Sequence, residues 1–313
     1  MILFLADIHI KLGQRKVPVE WAKHRFQLLE DEIINLCSKV DIVVIGGDTF
    51  DRVPNLAELE IFFSLVKRLT KPTYIYDGNH EATKKGQTFL SCLKSVVSLI
   101  NPKVQIIDEV TELDFGTIVP YCKLKQKGVF EGLNKTKPLF THVRGSIPPY
   151  VLPEIDLNTL SEFPIVYAGD LHSNTNCQLN IIYPGSPINT SFSRTEIKTG
   201  CIIIDKDTWH WVELHLPQLL KKTVTSQKEI VPTTYHHTLY ELEAEVGNLE
   251  TVENSDLLDK KITKRVDNFN TFLTKDMTVA EELAEYLKNV MLITSHTQIS
   301  NFIRVFNEHT KNS

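Results

Sequence analysis

The hydrophobic positions of the first 215 residues follow two different periods. Short apolar runs such as ILFLA, DIVVIGG and PTYIY are typical of buried strands, and each ends at a turn or polar residue. Between them, apolar side chains recur at helical spacing from Trp21 to Leu36 and from Leu56 to Leu69. Later runs, from TIVPY to CIIID, follow one another with little helix between them. The pattern predicts an α/β layered domain over residues 1–215 with a β-rich second half.

The pattern changes after residue 215. Residues 216–250 mix both periods, and we interpret them as a linker or a small capping segment. From about residue 255, apolar positions return at helical spacing, namely Leu258, Ile262, Val266, Phe269 and Leu273. Two further amphipathic stretches each follow a capping-box pair, Thr278 with Glu281 and Ser295 with Gln298. We expect residues 251–313 to form a small helical region that needs other surfaces to bury its apolar faces.

Composition excludes several classes of protein. The chain has 313 residues, 42% of them hydrophobic, which suffices for one large core or two modest domains. Its net charge of −5 excludes a basic chain that binds nucleic acid unaided, although a local patch or a partner could hold DNA. The 5 cysteines are scattered without a CxxC, so we expect reduced thiols. No stretch has the length of a membrane span or the layout of a signal peptide, which predicts a cytoplasmic protein.

Polar side chains that can bind metals follow several predicted strands. They are Asp7 and His9, Asp48 and Asp51, Asn79 and His80, His142, and Asp170 and His172. Because ligands in open α/β sheets bind beyond the carboxyl ends of the strands, we expect these groups to share one site. In an extended chain, residues i and i+2 point the same way, so each Asp-x-His pair would offer an oxygen and a nitrogen to one space. Such ligands suit Mn²⁺, Fe²⁺, Zn²⁺ or Mg²⁺.

Each of these motifs also has a structural explanation. A single Asp-x-His pair at a strand end is more often a turn or cap, and Gly-Asp and Gly-Asn-His are common in turns. A single histidine such as His142 is usually structural. Turn propensity does not account for five strand ends that all carry metal-capable groups in this order, so we interpret the set as a metal centre.

The order of these motifs resembles a known family. D-x-H, G-D-x-x-D, G-N-H-[DE], a single His and G-[DH]-x-H follow one another as in the calcineurin-like metallophosphoesterases. Within that family, GDTFDRVP resembles the Gly-Asp-x-Phe-Asp element of SbcD-type DNA nucleases, and YPGSPINTSFSRTEIKTGCIIID is similar to their Tyr-x-Gly-Ser-Pro segment. The resemblance covers about residues 1–215 and implies a layered β-sandwich flanked by helices. The chain is shorter than typical bacterial SbcD subunits, which favours a compact, phage-encoded version in the host cytoplasm.

The resemblance implies a role for each matching residue. One metal ion would be held by Asp7, His9, Asp48 and His172. The other would be held by Asp48, Asn79, His142 and Asp170. His80 would not bind metal but would lie over the scissile phosphate, stabilise its charge and help to protonate the leaving oxygen. Asp51 would orient His80 through a carboxylate–imidazole hydrogen bond, although a structural turn aspartate explains it equally well.

Position 170 departs from the subfamily pattern. SbcD-type nucleases usually have Gly-His-x-His where this chain has Gly169, Asp170 and, two residues later, His172. An aspartate can replace a histidine ligand, and with Asp7 and Asp48 it would bring three carboxylates to two divalent ions, which suits Mn²⁺ or Mg²⁺. The alternative is that Asp170 only caps a turn and that the second ion site is weak.

The resemblance also implies a function and partners. The chain would be the Mn²⁺-dependent DNA exonuclease or endonuclease subunit of an SbcCD-like complex in DNA recombination, repair or replication. It would form a homodimer within a heterotetramer with an SbcC-like coiled-coil ATPase, to which the carboxy-terminal helices would dock. One alternative is a stand-alone phosphoesterase for nucleotides or phosphoproteins, which leaves residues 251–313 without a role. The other is a non-catalytic binding module, which the retained ligand residues argue against.

Overall fold

The structure is a computed structural model, and it divides the chain into two units. It describes residues 1–82, 88–231, 235–244, 258–262, 277–289, 291, 293 and 295–310. The first unit is Met1–Lys261 and the second is Ile262–Ser313. No helix in these described ranges has the length and apolar character needed to cross a membrane.

Two sheets form the body of the first unit. Its strands are β1 (Ile2–Leu5), β2 (Ile42–Gly46), β3 (Thr73–Tyr76), β4 (Val104–Ile107), β5 (Thr111–Leu113), β6 (Gly116–Val119), β7 (Leu139–His142), β8 (Val166–Gly169), β9 (Ile181–Ile182), β10 (Gly200–Asp205), β11 (Thr208–Glu213), β12 (Leu219–Val224), β13 (His237–Ala244) and β14 (Leu258–Ile262). One sheet has the order β11-β10-β1-β2-β3-β4, and its strands β1 to β4 are parallel. The other has the order β5-β6-β7-β8-β9, with β6 to β9 parallel. The apolar runs from ILFLA to PTYIY and from TIVPY to CIIID form β1 to β3 and β6 to β10 as predicted.

Helices pack against the outer face of the first sheet. They are α1 (Val19–Cys37), α2 (Leu56–Arg68), α3 (Phe89–Cys92) and α4 (Lys94–Ile100). A fifth short helix, α5 (Tyr121–Leu124), follows β6 and packs in the core of the second sheet. Helix α1 buries Phe26, Leu29 and Ile33, which recur at helical spacing and join the core beneath the sheet. Helix α2 begins at a capping box in which Asn55 and Glu58 satisfy each other's backbone N–H groups. Both helices lie where the apolar spacing predicts them.

Aromatic side chains fill the space between the two sheets. The ring centroids of Phe4 and Phe140 are 5.7 Å apart, and Phe140 stacks on Tyr167 at 5.3 Å. Phe4 belongs to the first sheet, whereas Phe140 and Tyr167 belong to the second. All are buried, so the sheets share one dry interface. These layers confirm the predicted β-sandwich flanked by helices.

A third sheet occupies part of the segment interpreted as a linker or small capping segment. Its order is β12-β13-β14, and β12 and β13 are parallel. The helix predicted from about residue 255 is wrong over Leu258–Ile262, where the chain forms β14. Leu258 is buried there, and Lys16 Nζ donates to its carbonyl oxygen at 3.0 Å. Sheet pairing and burial therefore outweigh the local helical spacing; positions 266, 269 and 273 lie outside the described residues.

Two helices are described in the second unit. They are α6 (Val279–Asn289) and α7 (His296–Thr310), and they contact each other. The predicted capping box at the start of α6 is confirmed, because Thr278 N donates to Glu281 Oε2 at 2.7 Å and Glu281 N donates to Thr278 Oγ1 at 3.4 Å. The domain boundaries expected at residues 215 and 250 remain predictions.

Candidate metal centre

The carboxyl ends of five strands converge on one group of polar side chains. The group consists of Asp7 and His9 after β1, Asp48 and Asp51 after β2, Asn79 and His80 after β3, His142 at the end of β7, and Asp170 and His172 after β8. Asp48 Oδ2 lies 3.5 Å from His142 Nε2, and Asp170 N donates to both oxygens of Asp7 at 3.1 Å. The edges of the two sheets therefore meet here. The structure brings together all the site residues that the sequence singles out.

The backbone around these candidate ligands is turned rather than extended. Asp7, His9, Asp48 and Asp170 have φ angles of 57°, 50°, 48° and 103°. The expectation that each Asp-x-His pair continues its strand is therefore wrong. Asp7 N donates to the Gly47 carbonyl at 3.1 Å and His9 N donates to the Asp48 carbonyl at 2.9 Å, which holds the two loops side by side. Left-handed backbone at non-glycine residues costs roughly 1–3 kcal/mol each and concentrates at functional sites.

Asp7, His9 and His172 form one group of potential ligands. His9 Nε2 lies 3.1 Å from His172 Nε2 and 3.9 Å from Asp7 Oδ1. Burial lowers the pKa of His9 to about 3 and also lowers the pKa of His172, so both rings are neutral near pH 7. Thr190 Oγ1 lies 3.2 Å from His172 Nδ1 and helps to set the tautomer of that ring. Two neutral imidazoles beside a carboxylate are suitable ligands for a divalent ion.

Asp48 lies between three imidazole rings. Its Oδ2 atom is 3.7 Å from His9 Nε2, 3.9 Å from His80 Nε2 and 3.5 Å from His142 Nε2. Burial opposes ionisation of this carboxyl group, but the charge of His142 and its hydrogen bond to the carboxylate outweigh burial and lower the pKa of Asp48. An ionised carboxylate in this position has two oxygens to offer, which fits the bridging role that the sequence resemblance implies.

His142 connects Asp48 to the amide of Asn79. Its Nε2 atom lies 3.0 Å from Asn79 Oδ1, and its Nδ1 atom lies 3.0 Å from the Gly46 carbonyl oxygen. Burial opposes a charge on His142, but Asp48 raises the pKa of the ring well above its usual value. Asp7, Asp48 and His142 form a second group whose ligand atoms lie within 4.8 Å of one another. Asp48 thus favours a proton on the His142 ring, and a divalent ion bound here would take the place of that proton.

His80 lies at the exposed rim of the cluster. Its side chain is 39% exposed, and its backbone N–H donates to Asp48 Oδ1 at 2.9 Å. His80 Nδ1 lies 2.6 Å from the main-chain carbonyl oxygen of Asp51. The predicted bond between His80 and the Asp51 carboxylate is therefore wrong, since that carboxylate pairs with Lys11 Nζ at 2.7 Å. The turn that contains Asp51 still orients the ring, through its backbone.

Asp170 has a partner that the sequence does not reveal. Its carboxylate lies 3.3 Å from Nε and Nη2 of Arg144, which is the second residue after β7. Among the described residues, three groups of ligand atoms have metal-binding spacing, and Asp170 belongs to none of them. The assignment of Asp170 to the second ion stays a prediction, with Arg144 as a competitor for the carboxylate.

Glu81 holds the loops of the candidate metal centre together through backbone hydrogen bonds. It is 3% exposed and accepts backbone hydrogen bonds from Asp48 N at 3.0 Å, Phe50 N at 2.8 Å and Gly78 N at 2.8 Å. One carboxylate thus fixes the loops that carry Asp48 and Asn79. The acidic residue after Gly-Asn-His was visible in the sequence, but its role as a backbone acceptor depends on long-range contacts.

The comparison with protein families decides the classification. The profile described as "Calcineurin-like phosphoesterase" matches residues 1–163, more than half of the chain. The chain belongs to the calcineurin-like phosphoesterase family. The matched region contains the residues around Asp7, Asp48, Asn79 and His142, and Asp170 and His172 lie beyond it.

Relatives of this calcineurin-like phosphoesterase occur in viruses. "Probable exonuclease subunit 1" of Escherichia phage T5 is 40% identical over 305 residues, covering 92% of each chain. "Putative phosphoesterase 244L" of Invertebrate iridescent virus 6 is 31% identical over 232 residues, covering 66% of this chain and 76% of its own. A solved archaeal phosphodiesterase is 15% identical, with a TM-score of 0.38, over 68% of this chain and 99% of that chain.

The residues present fit the divalent metals that the calcineurin-like phosphoesterases use. Burial and the nearby carboxylates of Asp48 and Asp170 raise the pKa of Asp7 although His142 opposes them, so a divalent cation would favour the ionised form of this carboxyl group. His9 Nδ1 is buried and has no hydrogen-bond partner among the described residues. The ring is therefore held by packing and by the contact of its Nε2 atom with His172 Nε2, where a metal ion could also bind. Oxygen and nitrogen ligands around Asp48 are the donors that hard and borderline divalent cations select.

Proposed function

We propose that this chain is the DNA nuclease subunit of a two-component complex with an SbcC-like coiled-coil ATPase. The observation that carries the proposal is the 40% identity to the phage T5 protein over 92% of both chains. That similarity extends well beyond residue 163, where the match to the family profile ends. That relative is named a probable exonuclease subunit. The name describes an enzyme that cleaves nucleic acid and that has at least one further subunit.

We propose two divalent ions, Mn²⁺ in preference to Mg²⁺, as cofactors. Asp7, His9, Asp48 and His172 would hold one ion, and Asp48, Asn79 and His142 would hold the other, with Asp170 as the predicted further ligand. When bound, such ions neutralise the carboxylates, activate water and stabilise the charge of the phosphoryl group. The mixture of carboxylate and imidazole in the described clusters supports this assignment.

We assign general acid catalysis to His80. Its Nδ1 atom is engaged by the Asp51 carbonyl, so a second proton would be carried at Nε2, on the side of Asp48. The partial exposure of the ring gives Nε2 access to a substrate phosphate and to the leaving oxygen of the nucleic acid. Asp51 acts in this proposal through its backbone, as a positioning residue.

The biological setting and assembly belong to the same proposal. We place the activity in DNA recombination, repair or replication, in a homodimer within a heterotetramer. The carboxy-terminal helices α6 and α7 would dock on the ATPase, because Phe302 and Val305 of α7 are 54% and 45% exposed.

A comparison of substrates tests the proposal. The purified chain, alone and with an SbcC-like ATPase, would be supplied with Mn²⁺ or Mg²⁺ and either a labelled oligonucleotide or a small phosphodiester. We expect Mn²⁺-dependent cleavage of DNA that responds to ATP when the ATPase is present. Rapid turnover of the small diester with no cleavage of DNA in the complex would instead indicate a stand-alone phosphoesterase, the class named by the iridovirus relative.

A further inference from the structure

An arginine lies one side chain away from the metal ligands. Arg144 follows His142 by two residues, and its guanidinium contacts the Asp170 carboxylate through Nε and Nη2 at 3.3 Å. Asp170 in turn donates its backbone N–H to both oxygens of Asp7 at 3.1 Å. The contacts therefore run without interruption from the guanidinium to a proposed metal ligand.

The guanidinium is anchored but not fully engaged. Its contacts with Asp170 are longer than the 2.7–2.9 Å that is usual for a charge-assisted N–H···O bond. Glu154 is a further acidic neighbour, with Oε1 at 3.8 Å from Arg144 Nε. Within the described residues no acceptor lies within hydrogen-bond distance of Nη1. The side chain is 38% exposed, so these remaining donors face solvent.

The backbone of the loop fixes where this arginine stands. Arg144 N donates to Glu154 Oε2 at 3.0 Å, and Ser146 N donates to Gln178 Oε1 at 2.8 Å. Gly145 between them packs against Leu171 and Gln178 so closely that a Cβ atom would meet both side chains within 2.7 Å. Because the loop backbone is fixed, Arg144 loses less conformational entropy when it binds an anion than it would on a mobile loop.

Charge balance favours an anionic ligand for Arg144. The bound ions would neutralise Asp7 and Asp48, and Asp170 has Arg144 beside it in addition to the ion that it is predicted to bind. The charge of Asp170 is therefore compensated, so it does not repel a phosphate. Its carboxylate also keeps the Arg144 guanidinium at the rim of the site. Bidentate recognition of phosphate is a common use of arginine in proteins, because its planar fork matches two phosphate oxygens.

We propose that Arg144 binds the phosphate next to the one being cleaved on the DNA strand, and that Asp170 holds the guanidinium in place for it. The inference rests on the proposed nuclease function, since only a polymeric substrate has a neighbouring phosphate. Arg144 would thereby discriminate DNA from small phosphodiesters. Such a contact positions the strand without reading its sequence.

Binding measurements on full-length protein test this role. In a His80→Ala background, which slows cleavage, anisotropy of a labelled single-stranded oligonucleotide would be measured in Mn²⁺ at several NaCl concentrations. We expect Arg144→Gln to weaken binding about 10- to 100-fold and to reduce the salt slope by about 0.7, the value for one phosphate contact on a single strand. Arg144→Lys keeps the charge and should retain the slope with weaker binding. Asp170→Asn should weaken binding less than Arg144→Gln.

Arg68→Gln is the matched control. Arg68 is 40% exposed and pairs with Glu30 and Asp31 on the outer helices, so its loss should leave the salt slope unchanged. Calorimetry of Mn²⁺ binding to Arg144→Gln should show the wild-type number of ions. An unchanged salt slope in Arg144→Gln, or a lost ion, would overturn the assignment while leaving the nuclease proposal intact. No DNA binding by the His80→Ala protein would overturn both.

Discussion

His9 Nε2 and His172 Nε2 lie 3.1 Å apart although 163 residues separate them in the chain. His9 follows the first strand of one sheet and His172 follows β8 of the other, so this contact joins the two sheet edges. Both rings are neutral near pH 7 because burial lowers their pKa values. Two neutral ring nitrogens at this distance share either the proton of one ring or a cation, and a divalent ion that Asp7 also binds would fill the second role.

Replacing His172 with alanine should remove one metal ion. The His172 side chain is 43% exposed, so the substitution should leave the fold intact. Mn²⁺ affinity at that site should fall by about 100-fold or more, since loss of an outer-shell partner alone costs 10–100-fold. Calorimetric titration measures both affinity and stoichiometry. His210→Ala, an exposed position on β11, is the control, and a His172→Ala protein that binds as many ions as wild type would refute the assignment.

Replacing His80 with alanine should separate chemistry from metal binding. We expect unchanged Mn²⁺ content and a loss of DNA cleavage of about 10²- to 10⁴-fold, the usual contribution of a general acid–base group. The imidazole nevertheless lies with His9 and Asp48 in a group of metal-binding spacing. Metal content and cleavage rate must therefore be measured on the same preparation. A parallel loss of ions and activity would make His80 a ligand.

The fold and the grouping of the candidate site residues could be predicted from the sequence, because apolar runs and the polar residues that end them are local patterns. Apolar runs of strand length ended in polar residues, and their order along the chain placed Asp7, Asp48 and His142 at strand ends. The turned backbone at Asp7 and Asp48 could not be read in this way. It depends on backbone hydrogen bonds between the two loops, from Asp7 N to Gly47 O and from His9 N to Asp48 O.

Long-range partners were also beyond the reach of local patterns. Glu81 accepts hydrogen bonds from the backbone N–H groups of Asp48 and Phe50, which precede it by 33 and 31 residues. Arg144 pairs with Asp170, which follows it by 26 residues. Likewise, Leu258 lies in a strand rather than a helix because β13 provides an edge for pairing. Helical spacing of apolar residues cannot anticipate such an edge.

Two truncations should distinguish the third sheet from the carboxy-terminal helices. Deletion of residues 263–313 retains β14, so we expect a protein with wild-type melting temperature and metal content that no longer co-purifies with the ATPase. Deletion of residues 251–313 also removes β14 and the buried Leu258, which should destabilise the first unit by about 1.5–3 kcal/mol. Thermal melts and co-purification of both proteins decide the matter. An intact complex with the shorter deletion would assign the helices another role.

Glu81 should make the stability of the metal-free protein depend on pH. Burial and the nearby Asp48 carboxylate raise the pKa of Glu81 from 4.5 to about 8. The folded state thus holds this proton more tightly than the unfolded state. Its stabilising contribution is complete below about pH 4.5 and is lost as the pH rises through about 8.

The corresponding measurement uses Glu81→Gln in EDTA. The free energy of unfolding of wild type should fall between about pH 5 and 8.5, and the variant should show a flatter dependence. Glu112→Gln, which changes a carboxylate that accepts Asn134 N on the surface, should follow the wild-type curve. Mn²⁺ should flatten the wild-type curve as well, because it neutralises Asp48. Parallel curves for wild type and Glu81→Gln would show that Glu81 does not titrate in this range.

We propose that the chain cleaves DNA with two divalent ions held at the joined edges of its sheets. The most direct test is the rate of cleavage of a labelled oligonucleotide by the chain with its ATPase, measured against the number of Mn²⁺ ions bound per chain. We predict no cleavage in EDTA and a rate that rises with occupancy of the second ion. Cleavage that persists in EDTA, or a fully loaded site that leaves DNA intact, would contradict the claim.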